Sequence, residues 1–392
     1  MDDILNLSIA EMPGRTFECS CGRTHSVDIN RIIVGYDLSS EVFKAAADFK
    51  NGSVFLMADD NTYRVYGSTI EKLLLNGGLK LKTFVFKTDH PLVPDERALG
   101  RLLVEIGKDT SVIVAVGSGS INDLARILSC KLSIPYMIVC TAPSMDGYAS
   151  VVSPLIIDGF KTTYEAVYPY AIFADINVLK EAPIEMLHAG FGDIIGKLTA
   201  LADWELAAQT NGEYYCQTSV KLVRNALGKC IDNAHEIESR DPRAVESIVE
   251  ALILSGVAMG LVGNSRPASG AEHHMAHYWE MDALAKGEEH PLHGNSVGAA
   301  AVVVSSLYEL MNERQAINVE VSRPEEIRNL LRMAGANDNP AGLGISRELF
   351  KRSVLHAMEV RPRYTIYHPI AKAGLLEQFA DILTERFYGA GD

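Results

Sequence analysis

Basic residues are scarce in this chain: 36 Lys and Arg stand against 50 Asp and Glu, giving a formal net charge of −14 and a pI near 5.3. That deficit argues against a nucleic-acid surface, which needs clustered cations to meet phosphates, but it leaves room for a local positive pocket around a small anionic metabolite. Long apolar runs are also missing. Stretches such as SVIVAVG at 111–117 are far too short to cross a bilayer as helices, and no basic start leads into an apolar signal segment. A cytoplasmic protein with no membrane partner is therefore expected. Cysteine is sparse, and six residues at 19, 21, 130, 140, 216 and 230 do not make the framework of a disulfide-dense secreted domain. Cys19, Cys21 and His25 outline a small metal knuckle in FECSCGRTHSV. No second cysteine pair follows to complete a structural zinc site, so a plain hairpin or turn is expected there.

What is present is apolar bulk, 47% of 392 residues, enough for a large core and better suited to two domains than one. SVFLMAD at 53–59, TFVFKT at 83–88, IPYMIVC at 134–140 and YAIFAD at 170–175 have the form of strands, and SVIVAVGSGSINDLARILS at 111–129 runs from strand through glycine turn into helix. Strands alternating with helices imply a mostly parallel sheet whose carboxyl ends carry the loops, a Rossmann-like α/β domain over residues 1–175. Beyond it the pattern turns helical, in MLHAGFGDIIGKLTALADWELAAQ, VESIVEALILSGVAMGLVG and HGNSVGAAAVVVSSLYELM. An all-helical metal-binding domain over 176–392 is expected. With no Gly/Ser linker or repeat between them, the two would be tightly apposed, with the chemistry in their cleft.

The turn Gly117, Ser118, Gly119, Ser120 ahead of Ile121 lets a backbone approach closely, and the helix start beyond it offers N–H donors to a pyrophosphate. It matches neither the dinucleotide fingerprint nor the phosphate loop, and an ordinary tight turn would read the same way. Asp59, ending an earlier strand, could accept an adenine ribose hydroxyl and favour NAD over NADP; a solvated strand-end acid is the alternative. TAPSMDGYAS at 141–150 suits a nicotinamide ribose and a polar substrate, with Asp146 in its middle, though a solvated turn fits equally. Lys161 and Arg266 are the cations to examine for an anionic substrate group, each also at home as a surface or structural charge.

A firmer constellation lies in SGAEHHMAHYWE at 269–280, LHG at 292–294 and FGD at 191–193. Asp193, His273 and His293 would supply one carboxylate and two imidazoles, leaving positions open on a Lewis-acid metal. His273 and His277 share a helix face, so His277 would stand beside the metal as hydrogen-bond donor or proton shuttle. Zinc and nickel both tolerate this donor set. A histidine-rich helix start near a surface loop that also holds His290 is the plainer possibility.

GSGSINDLAR at 117–126, TAPSMDGYAS, GFKTTYEAVYPYAIFAD at 159–175, AGFGDIIGKL at 189–198, SRPASGAEHHMAHYWE at 265–280 and LHG together resemble the sn-glycerol-1-phosphate dehydrogenases of the AraM-like type, in the glycerol dehydrogenase and dehydroquinate synthase superfamily. The resemblance spans most of the chain. It implies one zinc or nickel ion on Asp193, His273 and His293. It places NAD(H) or NADP(H) along Gly117, Ser118, Gly119, Ser120, Ile121, Thr141, Ala142, Pro143 and Ser144, with Ser150 also on the cofactor and Asp146 and His277 on the substrate. The implied reaction is reversible reduction of dihydroxyacetone phosphate to sn-glycerol 1-phosphate, by hydride transfer to C2 with the metal polarising the carbonyl, in a homodimer. Ser118 stands where many relatives have glycine, and the long interval from His273 to His293 leaves His290 as an alternative ligand. Glycerol dehydrogenase on an unphosphorylated polyol, or dehydroquinate synthase, would use the same metal and cofactor.

Overall fold

The computed structural model describes residues 3–87, 90–314 and 317–389. A small antiparallel hairpin, β1 (Thr16–Glu18) with β2 (Thr24–Ser26), precedes the main sheet. That sheet contains β3 (Arg31–Gly35), β4 (Ser53–Asp59), β5 (Leu81–Phe86), β6 (Thr110–Gly117) and β7 (Tyr136–Cys140). A second hairpin follows, β8 (Val152–Ile157) with β9 (Phe160–Glu165), and β10 (Ala171–Asp175) returns to the sheet. The six strands run parallel in the order β3-β10-β7-β6-β4-β5. The runs read as strands at 53–59, 134–140 and 170–175 fall on β4, β7 and β10, and the 83–88 run on β5; Thr88 lies outside the described residues.

Helices α1 (Ser39–Ala47) and α2 (Ser68–Asn76) cover one face of the sheet, and α3 (Glu96–Glu105) and α4 (Gly119–Leu132) the other. Alternate β4 side chains serve the two faces: Val54, Leu56 and Ala58 pack with α1 and α2, while Phe55 and Met57 join the core on the opposite side. Burial on both faces is why these strands read as continuous apolar runs. From β4 the chain moves outward to β5, and from β6 it moves the other way through β7 to β10. The switch point therefore lies between β4 and β6, where an open sheet offers its crevice.

The rest of the described chain is helical: α5 (Ile184–Ile195), α6 (Lys197–Asn211), α7 (Gln217–Asp232), α8 (Pro242–Val262), α9 (Ala271–Lys286), α10 (His293–Asn312), α11 (Pro324–Met333), α12 (Arg347–His356) and α13 (Leu376–Tyr388), with shorter turns between. One of them corrects the expectation that no apolar segment is long enough to span a bilayer. α8, at 21 residues, passes by length and composition, but most of it is buried inside the protein, the position of a core helix.

Glycine sets how closely α5 and α10 cross. A Cβ on Gly192 would fall 2.4 Å from the Gly294 carbonyl oxygen, and one on Gly294 would overlap the Ala189 carbonyl. Backbone meets backbone there, so no side chain can yield. Gly192→Ala should lower stability by about 1–3 kcal/mol through overpacking; a chemical-denaturation midpoint equal to wild type would contradict this account of the crossing.

Candidate active site

The candidate metal-site residues come from three helices. α9 begins just after Gly270, where buried carboxylates take the backbone N–H groups: Glu272 Oε1 accepts from Gly270 N at 2.6 Å and Asp203 Oδ2 from Ala271 N at 2.7 Å. This start fixes the register that puts His273, His277 and Glu280 along one face. α10 starts with His293, and the glycine crossing carries Asp193 of α5, wholly buried, against it.

Asp193, His273 and His293 come together with one donor atom from each lying within 4.8 Å of the others. His273 Nε2 is 3.6 Å from Asp193 Oδ1, and the His273 and His293 ring centroids are 5.2 Å apart. Each imidazole is held from behind, His273 Nδ1 by Glu272 Oε1 and His293 Nδ1 by Glu280 Oε1, both at 2.7 Å. A carboxylate on Nδ1 leaves the Nε2 lone pair for a metal, the tautomer a ligand requires. Burial, and then the Lys197 charge, push the His273 pKa well below its ordinary value, so the ring is neutral. The donor set therefore fits a divalent ion. His277, Glu280 and His293 form a second possible group. Glu280, however, also bonds His277 Nδ1 at 3.2 Å and pairs with Lys161. Glu280 thus sits on the Nδ1 side of both His277 and His293, the side away from the Nε2 lone pairs.

Around this group the charges are paired. Lys197, fully buried, bridges Asp193 Oδ1 and Asp146 Oδ2 at 2.7 Å each. Burial would lower the Lys197 pKa, but the two aspartates outweigh it and raise it. Burial likewise works to raise Glu280, yet Lys161, His293 and the imidazole hydrogen bonds hold it well below the usual carboxylate range. His277 is pushed well below its usual value by burial and then Lys161; its Nε2 accepts from Arg361 Nη2 at 3.3 Å.

Asp146 joins the two halves of the site. Its backbone N–H donates to Asp193 Oδ2 at 3.0 Å, and its carboxylate accepts from Ser255 at 3.0 Å. On its other side the loop from Thr141 to Ser144 lies against the glycine turn, with Thr141 N bonded to the Gly117 carbonyl at 3.1 Å and the Ser118 and Ser144 hydroxyls 3.2 Å apart. Ala142 and Pro143 sit in the same buried loop, and Ser120 and Ile121 in the first turn of α4. Gly117 has no room for a Cβ, which would fall 2.5 Å from that of Ile121. Asp59 lies two residues beyond the Met57–Ala115 pair of β4 and β6, just as Gly117 does, and so stands at the switch point. There it caps the N–H groups of Asn61 and Thr62. Ser150 is buried and bonds Val152 at both N–H and carbonyl.

Lys197, Glu272, Glu280 and Arg361 escaped the sequence reading. The first three carried a signal: Lys197 lies four residues after Asp193, Glu272 adjoins His273, and Glu280 follows His277 by three. Arg361 had none. Arg266 is structural, forked onto Glu213 and bonded to the Tyr364 carbonyl. His290 is exposed and its ring bonds the carbonyl of Pro291. His274 is buried, and neither ring nitrogen has a hydrogen-bond partner among the described residues. Burial, followed by Arg363 and Arg361, pushes its pKa to about 3.

A parallel sheet with a glycine turn at its switch point, facing an Asp/His cluster on helices, defines a metal-dependent, NAD(P)-linked oxidoreductase. The family model described as iron-containing alcohol dehydrogenase matches residues 35–183. The crystal structure of a probable glycerol dehydrogenase from Sinorhizobium meliloti superposes with a TM-score of 0.69 at 18% identity, over 92% of this chain and 98% of the other, a likeness of fold. The glycerol-1-phosphate dehydrogenase (NAD(P)+) of Halalkalibacterium halodurans is 35% identical over 377 residues, 90% of this chain and 94% of the relative. That of Geobacillus stearothermophilus is 33% identical, over 93% of this chain and 98% of the relative. The chain belongs to the glycerol-1-phosphate dehydrogenase family.

The anchor of α9 has its own titration. Asp203 accepts from Ala271, Tyr308 and Ile366, and burial, followed by the Glu272 charge, raises its pKa to about 7. In the unfolded chain an aspartate titrates near about 4. The folded state thus binds the extra proton, and this contribution to stability is complete below about pH 4 and lost as pH rises through about 7. Asp203→Asn cannot ionise, so its unfolding free energy should fall less than that of wild type over the same range. Parallel pH profiles for the two proteins would refute the shifted group.

Proposed function

We propose that this chain catalyses the reversible NAD(P)H-dependent reduction of dihydroxyacetone phosphate to sn-glycerol 1-phosphate. The observation that carries the reading is the pair of cations against the Asp/His cluster: Lys161 on Glu280, which holds His293, and Arg361 on His277. Cations beside the reacting centre favour an anionic triose over a neutral polyol. The names of the relatives support the same substrate.

In this reading Asp193, His273 and His293 hold the metal, zinc or nickel, oriented by Glu272 and Glu280. Bound there, a divalent ion supplies Lewis-acid polarisation of the C2 carbonyl, and the nicotinamide supplies the hydride. Gly117 to Ile121, Thr141 to Ser144 and Ser150 line the dinucleotide, with Asp59 placed to receive its ribose and favour NADH. Asp146, tied to Asp193 through its own N–H, fixes the distance between cofactor loop and substrate. Lys161 draws the phosphate. Neutral His277, fixed by Glu280 at Nδ1, exchanges the Arg361 donor at Nε2 for the hydroxyl or water that returns a proton to the product oxygen. The division near residue 175 into a dinucleotide-binding unit and a metal-binding unit belongs to this reading, as do a homodimer and a cytoplasmic location.

The test is NADH oxidation by metal-reconstituted protein, comparing dihydroxyacetone phosphate with dihydroxyacetone and resolving the product by enantiomer. Turnover selective for the phosphate and giving the sn-1 product is expected. Lys161→Ala should raise KM for the phosphate about tenfold or more, and His273→Ala should abolish turnover while leaving cofactor affinity. Equal use of the unphosphorylated ketone would move the assignment to a polyol dehydrogenase.

A further inference from the structure

The cysteine motif near the start of the chain does form the expected hairpin, but it acquires a fourth polar neighbour that no local spacing announced. Cys19 ends the run after β1, Cys21 lies in the turn, His25 is on β2, and Cys216 arrives from the residue that caps α7. Donor atoms of all four lie within 4.8 Å of one another. The Cys19 and Cys216 sulfurs are 3.8 Å apart, and His25 Nε2 lies 3.2 Å from the Cys21 sulfur and 3.5 Å from that of Cys216. Around a tetrahedral zinc, with Zn–S of about 2.3 Å and Zn–N of about 2.0 Å, neighbouring sulfurs stand about 3.8 Å apart and sulfur and nitrogen about 3.5 Å. The Cys19–Cys216 and His25–Cys216 separations equal those edges, and the His25–Cys21 separation is 3.2 Å.

We propose that Cys19, Cys21, His25 and Cys216 bind a structural zinc ion, separate from the Asp193 centre and independent of the reaction assigned to it. Three thiolates and one imidazole close the coordination sphere and leave no position for substrate, the pattern of a structural rather than a catalytic site. Soft sulfur donors select zinc over the hard cations. Each sulfur also has a hydrogen-bonding neighbour: the Thr218 hydroxyl at 3.2 Å from Cys19, the Tyr214 hydroxyl at 3.1 Å from Cys21, and the Ser219 N–H at 3.5 Å from Cys216. Such outer contacts hold ligands in place. Gly22, at φ +83°, lets the chain turn back so that His25 faces the sulfurs.

The ion would do work that the hairpin cannot do alone. β1 and β2 are three residues each, and a two-stranded hairpin of that size is marginal in water. Zinc would fasten it to the first turn of α7, 197 residues on from Cys19 to Cys216, and so pin the N-terminal segment to the helical half of the molecule.

Metal analysis of the full-length protein grown with zinc, together with zinc-edge X-ray absorption, tests the proposal. Two ions per chain are expected, one of them with a sulfur shell near about 2.3 Å. Cys21→Ser and Cys216→Ser should each lose that ion and the sulfur shell, keep the ion at the Asp193 centre, and expose the hairpin to limited proteolysis. Asp193→Asn should do the converse, losing the other ion and keeping the sulfur shell. If the cysteine variants fail to fold, the wild-type spectrum still decides. Only nitrogen and oxygen around every bound zinc, or a Cys19–Cys216 disulfide in place of the ion, would overturn the assignment.

Discussion

Burying ionisable groups beside imidazoles is costly unless every charge is matched, and this constraint organises the site. Lys197 bridges Asp146 and Asp193 and offsets one of their two charges, Lys161 faces Glu280, and Glu272 and Glu280 each accept a hydrogen bond from an imidazole. Removing one member would leave its partner charged and dry, so the cluster is specified as a unit. Much of the surrounding fold serves it. Asp203 and Glu272 start α9 where His273 must be, and Gly192 and Gly294 let α5 and α10 close until Asp193 lies against His293. Preorganisation of this kind keeps the reacting groups in place before substrate arrives.

The sheet half contributes through one loop. Arg126, fully buried on α4, bonds Asp123 and the carbonyls of Gly147 and Val152, fastening the segment after β7 to the helix that follows the glycine turn. Asp146 leaves that segment and donates its N–H to Asp193. The loop after β7 and Asp193 are thus joined through a few hydrogen bonds.

Legibility in the sequence followed burial. β4, β6, β7 and β10, covered on both faces, read directly as apolar runs; β3 is short and flanked by polar residues, and β9 is mostly exposed, so neither carried the pattern. The convergence of Asp193, His273 and His293 was legible because metal chemistry restricts residue type and because two of them lie in recognisable stretches. Glu280 and Lys197 carried only the weak signal of helical spacing, since a charged residue on a helix ordinarily marks a solvated face and packing is what shows that these are buried. Arg361 and Cys216 approach their partners from distant segments, and no local spacing encodes a contact made by topology.

The central claim is that Asp193, His273 and His293 hold the catalytic ion. Anomalous diffraction at the absorption edge of the metal, from crystals grown with zinc or nickel, tests it most directly. A peak within bonding distance of Asp193 Oδ and of Nε2 in His273 and His293, with Glu272 and Glu280 still on the Nδ1 atoms, is the predicted result. No peak there, or an ion seated instead between His277 and Glu280, would contradict the account.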